Sequence, residues 1–436
     1  MSLLNDILGN FYIKIIFRNQ YFDILFILMS VLFLLLLLLS IRNRRAIKIS
    51  KKIKKEFAKR STSFYKILNI EDLPKIKIVI PAFKEEKVIE NTLDHIFDTN
   101  YPNTLFQVVV AINKNPDIED HTREIVQHYK ERKNLKNLTL IDTNPPDDWM
   151  PKSFNLNSGA QFVDHFDAKY YLFLNADSIL YPDSLSHLVF LTKKYNVDLI
   201  SIDPYITPSR LFNKLLAPVI SFILTLILVY PKRVKKNGAG MAAGGCVFLD
   251  AMKYEEGKGH FHIKNEALDD VKLAEHFHNN NHSTIYRENP KKDPIWGIDW
   301  YKDLKEFIDG MKKHTKTEMQ NHSLALRLLF MVMFLLLPVW IFTIGLLPLL
   351  MQMACVINFS FNVEIFFIRM VLLAIYSYIA LSVIIMISHS ASSSKLYSFC
   401  FVLVGFLLFK GLVWDLLLIK LHKKESSWGG KKITAL

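Results

Sequence analysis

The run Lys169-Tyr-Tyr-Leu-Phe-Leu-Asn-Ala-Asp-Ser178 passes abruptly from aromatic and aliphatic residues to a carboxylate. Tyr170 to Leu174 has the length and residue types of a buried strand, which sets Asn175, Asp177 and Ser178 at its C-terminal edge. Ligands of open α/β sheets bind at that edge. Oxygen donors two positions apart, such as Asn175 and Asp177, can both reach a hard divalent cation, and that cation in turn neutralises a diphosphate. A strand followed by an Asx turn accounts for the same residues. Further on, Asp269 and Asp270 are adjacent carboxylates at the expected start of a helix, where the dipole offsets their repulsion. An N-cap pair is the alternative.

Other chemistry-bearing residues are less specific. His260, His262, His276, His278 and His282 cluster in sequence but lack a closed zinc-ligand spacing, and His276 and His278 cannot share a helix face. No zinc centre is expected there. Trp296, Trp300 and Tyr301 suit an interfacial belt or core, or else a sugar platform. Cys246, Cys355 and Cys400 are too few and too scattered for a disulfide framework or a metal cluster.

The elements that must position these residues alternate in type. Strands are expected at Ile76 to Ile80, Phe106 to Ala111, Leu138 to Ile141, Tyr170 to Leu174 and Asp198 to Asp203, and Ala242 to Leu249 reads as a small-residue turn and strand. Between them, Val88, Ile89, Leu93 and Ile96 repeat at helical spacing, a second helix starts near His121, and a third contains Asn157 to Ala160. Strands alternating with helices predict a parallel sheet wrapped by right-handed crossovers. The segment from Leu268 to Phe277 opens an amphipathic helix.

Both ends of the chain read as membrane. Ile24 to Ile41 is long and apolar enough to cross a bilayer, and no small-residue cleavage site follows it, so a retained anchor is expected. Arg42, Arg44, Arg45, Lys48, Lys51, Lys52, Lys54, Lys55, Lys59 and Arg60 follow it, against Lys14 and Arg18 in front, which puts the next domain in the cytoplasm. Leu211 to Tyr230, interrupted by Pro218, is expected to lie along the headgroup layer, because a crossing there would part Asp177 from Asp270. Apolar runs over Ala325 to Phe359, Ile365 to Ser388 and Leu396 to Leu421 predict further spans, hence a multi-pass protein of the cell membrane. The resulting division is an anchor and basic segment over residues 1–60, a cytoplasmic domain over 61–322 and transmembrane helices over 323–436. In a chain of 436 residues with net charge +13, the positive charge sits beside the apolar runs, so anionic lipid rather than nucleic acid is the expected partner.

Ile80-Pro-Ala-Phe-Lys-Glu-Glu86, Leu172-Phe-Leu-Asn-Ala-Asp-Ser178, Gly244-Gly-Cys246 and Ala267-Leu-Asp-Asp270, in that order, resemble the motifs of the inverting family-2 glycosyltransferases of GT-A fold. The resemblance covers about Lys75 to His314, and the loop ending Met150-Pro-Lys-Ser153, the block Ala242 to Asp270 and the segment Asp309-Gly-Met-Lys-Lys-His314 look most like membrane members of the hopanoid-associated and carotenoid-glycosylating type. It implies an α/β, Rossmann-like nucleotide-diphospho-sugar transferase domain, with a divalent cation, Mn or Mg, as cofactor. Pro81 and Glu85 then match the edge that holds the nucleotide base, with Lys84 where Asn is common, and Asn113 and Asp117 fall where an Asp pair usually holds base and ribose. Asp177 matches the final, metal-binding Asp of Asp-x-Asp, and Asn175 replaces the first, which removes a charge and weakens metal affinity. Asp270 matches the general base, beside Asp269, and Lys152, Lys312, Lys313 and His314 are the cations available to the departing diphosphate. Gly244 and Gly245 would let an acceptor approach the backbone.

Together these features predict transfer of a hexose from a UDP-sugar to a membrane lipid. A processive polysaccharide synthase would carry Gln-x-x-Arg-Trp before its later helices, and no such motif occurs between Pro290 and Ser323. Asn113 and Asn175 motivate a third possibility, a non-catalytic membrane scaffold of the same fold.

Overall fold

Strand β1 (Ile76–Ala82) is apolar at nearly every position and buried along its length, as a strand covered on both faces must be. It lies in the middle of a mixed sheet, between parallel neighbours β2 (Phe106–Asn113) and β4 (Tyr170–Leu174), with β3 (Leu138–Thr143) parallel beyond β2. The computed structural model describes residues 26–38, 41, 73–114, 119–163, 165–202, 204–206, 211, 213–216, 218, 242, 245–266, 269–287, 289, 294–299, 361–388, 395–401, 427–428 and 431–432. The basic segment Arg42 to Arg60, most of Leu211 to Tyr230, all of Ala325 to Phe359 and most of Leu396 to Leu421 lie outside the described residues.

On the far side of β4 the expectation of a parallel sheet fails. Strand β8 (Cys246–Asp250) runs antiparallel between β4 and β6 (Leu199–Ile202), and β9 (Thr284–Arg287) closes the edge parallel to β6, giving the order β3-β2-β1-β4-β8-β6-β9. The register explains the reversal. Strand β6 ends at the same edge as β4, and the chain re-enters the sheet from that edge, so β8 can only run back, with Cys246 opposite Leu174 and Asp250 opposite Tyr170. Gly245 is thereby delivered to the C-terminal end of β4.

Strand periodicity divides the interior into two apolar layers. Tyr170, Leu172 and Leu174 face one, with Ile78 and Phe106; Tyr171 and Phe173 face the other, with Val79, Tyr254 and Phe277. Helix α2 (Ile89–Phe97) buries Ile89, Thr92, Leu93 and Ile96 on one stripe against the first layer. The second layer carries α4 (Pro151–Ala160), where Gly159 lets the helix close on β1: a Cβ there would stand 2.3 Å from Val79 Cγ1. A small sheet of β5 (Ser178–Leu180), β10 (Trp296–Ile298) and β7 (Tyr205–Ile206) flanks the main one.

The N-terminal and C-terminal helices meet. Helix α1 (Phe26–Leu38) packs on α9 (Phe361–Ser388) about Tyr376, whose ring centroid lies 5.6 Å from that of Phe26 and 5.7 Å from that of Phe33. Their outer faces, with Ile27, Leu28, Val31, Leu34 and Leu35 on α1 and Ile368, Leu372, Ile375 and Ile379 on α9, are exposed. Within α9, Ile368–Ile387 is the one stretch among the described residues long and apolar enough to cross a bilayer. The described residues thus hold one such helix where the sequence predicts several.

Candidate active site

Three loops converge at the C-terminal ends of β1, β2 and β4. After β1 the chain turns through Lys84, whose φ of 59° is left-handed. Lys84 N–H donates to Asp120 Oδ2 at 2.8 Å and Glu85 N–H to Thr122 Oγ1 at 2.9 Å, so the Phe83 to Glu86 loop that follows Pro81 and Ala82 of β1 is clamped onto the turn before helix α3 (Thr122–Arg132). Asp120, which sequence reasoning missed, is the hub of this clamp: its other oxygen accepts Thr122 N–H at 3.0 Å. An Asp two residues before a Thr at a helix start is the only signal for it. Asn113 ends β2 opposite Thr143, and buried Asn155 of α4 ties these ends together, accepting from Thr143 Oγ1 at 2.6 Å and donating to the Ala111 carbonyl at 3.2 Å. Asp117 lies outside the described residues, as do Gly244, Lys312, Lys313, His314, Trp300 and Tyr301.

The Asn175-Ala-Asp177 turn is held from both sides. Thr92 Oγ1 donates to the Ala176 carbonyl at 2.6 Å, and Asn175 N–H donates to the Gly245 carbonyl at 3.1 Å. Gly245 has a φ of +107°, and a Cβ there would stand 2.9 Å from the Trp296 ring and 3.1 Å from Asn175 Nδ2. Only glycine suits this position. Trp296 is fully buried, its indole N–H donating to the Ile202 carbonyl at 2.7 Å, so it is core. Asn175 Nδ2 faces Gly245, Asn175 is partly exposed and Asp177 is exposed. One amide oxygen and one carboxylate at a strand end fit a hard cation that takes its remaining ligands from a diphosphate and water.

Helix α8 (Asp269–Asn279) starts with the acidic pair, and both carboxylates are buried. Lys152, in the first turn of α4, places Nζ 3.0 Å from both Asp269 oxygens. Burial pulls the Lys152 ammonium down, but the charges of Asp269 and Asp270, the Asp269 hydrogen bond and the charge of Asp177 together outweigh it and hold it above its ordinary value. Lys152 therefore feels both the Asp177 corner and the acidic pair, so carboxylates more than ninety positions apart act on one ammonium. Burial first, and then Asp269, push the Asp270 carboxyl up to about 6 against the pull of Lys152 and of two backbone N–H groups.

Behind the pair, on α7 (Gly259–His262), His260 is buried against Phe173, with Nδ1 2.8 Å from the Tyr254 hydroxyl of α6 (Ala251–Glu256). Burial lowers its pKa to about 4, opposed by Asp269 and aided by Lys152, so it is neutral at pH 7. Of the other histidines, His262 and His276 stack with ring centroids 4.0 Å apart, and a ring nitrogen of His276 lies 2.7 Å from the Gly257 carbonyl. Among the described residues no group of three His, Cys, Asp or Glu side chains is arranged to hold a metal by itself.

Residues 77–257 match the Glycosyl transferase family 2 profile. The chain carries a domain of that family. The matched part of this glycosyltransferase domain contains Pro81, Glu85, Asn113, Lys152, Asn175 and Asp177, and the acidic pair follows just beyond it. The chain is 34% identical over 91 residues to the probable glycosyltransferase YdaM of Bacillus subtilis, covering 21% of this chain and 20% of the relative. It is 23% identical over 128 residues to the poly(ribitol-phosphate) beta-N-acetylglucosaminyltransferase TarS of Staphylococcus aureus, covering 29% and 20%. The chain thus spans about a fifth of the length of the curated relatives it matches. Among solved structures it is similar to the mannosyltransferase PcManGT of Pyrobaculum calidifontis in complex with GDP-Man and Mn2+, at 13% identity over 87% of this chain and 99% of that one, with a TM-score of 0.41. It is also similar to S. aureus TarS 1-349 in complex with UDP-GlcNAc, at 13% identity over 82% and 95%, with a TM-score of 0.33.

Proposed function

We propose that the chain is a membrane-bound, inverting glycosyltransferase that moves a hexose from a UDP-sugar to a hydroxyl or carboxylate of a lipid at the cytoplasmic bilayer surface. The observation that supports this reading is the pairing of Lys152 with Asp269, Nζ 3.0 Å from both carboxylate oxygens, on an ammonium that also feels the charges of Asp270 and Asp177. Asp270 takes the acceptor proton as the acceptor oxygen bonds to C1 of the sugar, and the bond from C1 to the diphosphate breaks on the opposite face, releasing UDP. Asp177 and the Asn175 amide oxygen would hold a divalent cation, which would neutralise charge on the diphosphate. Pro81 at the end of β1, Glu85 in the loop after it and Asn113 hold the nucleoside end, together with Asp117, and Lys313 and His314 add positive charge on the diphosphate side. The exposed apolar faces of α1 and α9 support a lipid surface as the place of work, because so large an apolar area is stable only against hydrocarbon or another protein.

The similarity to TarS favours one other acceptor, a phosphate-containing polymer. Release of UDP from UDP-glucose and UDP-GlcNAc by the full chain in mixed lipid and detergent micelles, with and without Mn2+, tests the reading. Mass spectrometry of the lipid fraction should then show a hexose adduct. No UDP release with any donor would leave a non-catalytic scaffold, and an adduct on added poly(ribitol phosphate) alone would replace the lipid acceptor.

A further inference from the structure

Lys152 and Asp269 meet across two helices, each from the first turn of its own, and the ammonium is equidistant from both carboxylate oxygens at 3.0 Å. Asp269 is 6% exposed and Asp270 9%, so neither is well solvated. Two neighbouring buried carboxylates cannot both carry charge cheaply, and a cation committed to one of them divides their work. We propose that Lys152 is a positioning residue, which grips both oxygens of Asp269, keeps that side chain out of the reaction and leaves Asp270 as the carboxylate that receives the acceptor proton. This rests on reading Asp270 as the base of a glycosyltransferase.

The described groups around the base agree. Asp269 from its own helix and Lys152 from α4 act on Asp270 in opposite directions. His260 of α7 is neutral, and so brings no second cation to the pair. Asp177 bears on Lys152 from the end of β4. Lys152 therefore also sets the pH at which the base is ready, and it does so through Asp269 and Asp270 rather than by touching the acceptor.

The test uses the full chain in lipid nanodiscs with 13C-carboxyl-labelled aspartate. The resonance lost in Asp270→Asn identifies Asp270, and its titration midpoint is followed in each variant. Lys152→Met should move the midpoint up by about one pH unit, Lys152→Arg should restore it, and Asp269→Asn should move it down. If Lys152→Met does not fold, Lys152→Gln, which keeps a hydrogen-bond donor without the charge, carries the same expectation. In the same samples, Lys152→Met should slow UDP release from UDP-glucose about threefold at pH 6.5 and little at pH 8.5, the proportion expected when a base moves up by one pH unit. A midpoint unmoved by loss of the ammonium overturns the inference, whatever the turnover. Midpoints that move as expected in a protein that releases no UDP uphold the pairing and overturn the glycosyltransferase reading instead.

Discussion

Burial and the adjacent Asp269 charge push the Asp270 carboxyl up to about 6, and a base acts only when ionised. Transfer should therefore fail as pH falls through about 6 and level off above it, which a pH profile of UDP release would check. Asp270→Asn should lower turnover by roughly a hundredfold to ten-thousandfold, the range a general base contributes, while UDP binding measured by calorimetry is spared. Lys84 makes a different point. A lysine at φ 59° is strained, whereas asparagine tolerates that region. Lys84→Asn should raise stability by about 1 kcal/mol in a denaturant midpoint. At this scale the sequence located Asn175 and Asp177 after a strand and the acidic pair at a helix start, and the structure has them there. It did not reveal that Lys152 pairs with Asp269, since the contact joins residues 117 apart through the relative placement of two helices.

Of the sheet strands expected from apolar runs, those at Ile76, Phe106, Leu138 and Tyr170 start where the structure starts them, and each extends by no more than two residues past the expected end. What the runs did not carry was direction. A buried strand reads the same in either sense, so β8 could be found but not oriented, and β9, whose Thr284-Ile-Tyr-Arg287 is short and mixed, was not visible at all. The short strands β5, β7 and β10 owe their form to one another rather than to local pattern. The antiparallel return of β8 gives Gly245 its importance, since it places a left-handed residue between Asn175 and Trp296. Gly245→Ala should cost roughly 1–3 kcal/mol of stability through its backbone alone. It should also weaken the response of UDP release to Mn2+, because the added carbon presses on the Asn175 amide; titration of the metal dependence would read this.

Across the whole molecule, apolar helices from the first and last parts of the chain pack together and leave their outer faces bare. The chain should remain in the membrane pellet after carbonate extraction. Leu372→Arg, on the exposed face of α9, should shift a measurable fraction to the supernatant, given a cost of roughly 3 kcal/mol for a charge at bilayer depth. Tyr376 and Ser30 are separated by 346 residues, yet their hydroxyls are 3.5 Å apart. At a ribosomal pace of about 5–20 residues per second, the leading helix waits on the order of half a minute for its mate to be synthesised. The main sheet, whose last strand ends at Arg287, is synthesised before that mate, so the seam around Tyr376 can close only after every strand of the sheet is already on hand.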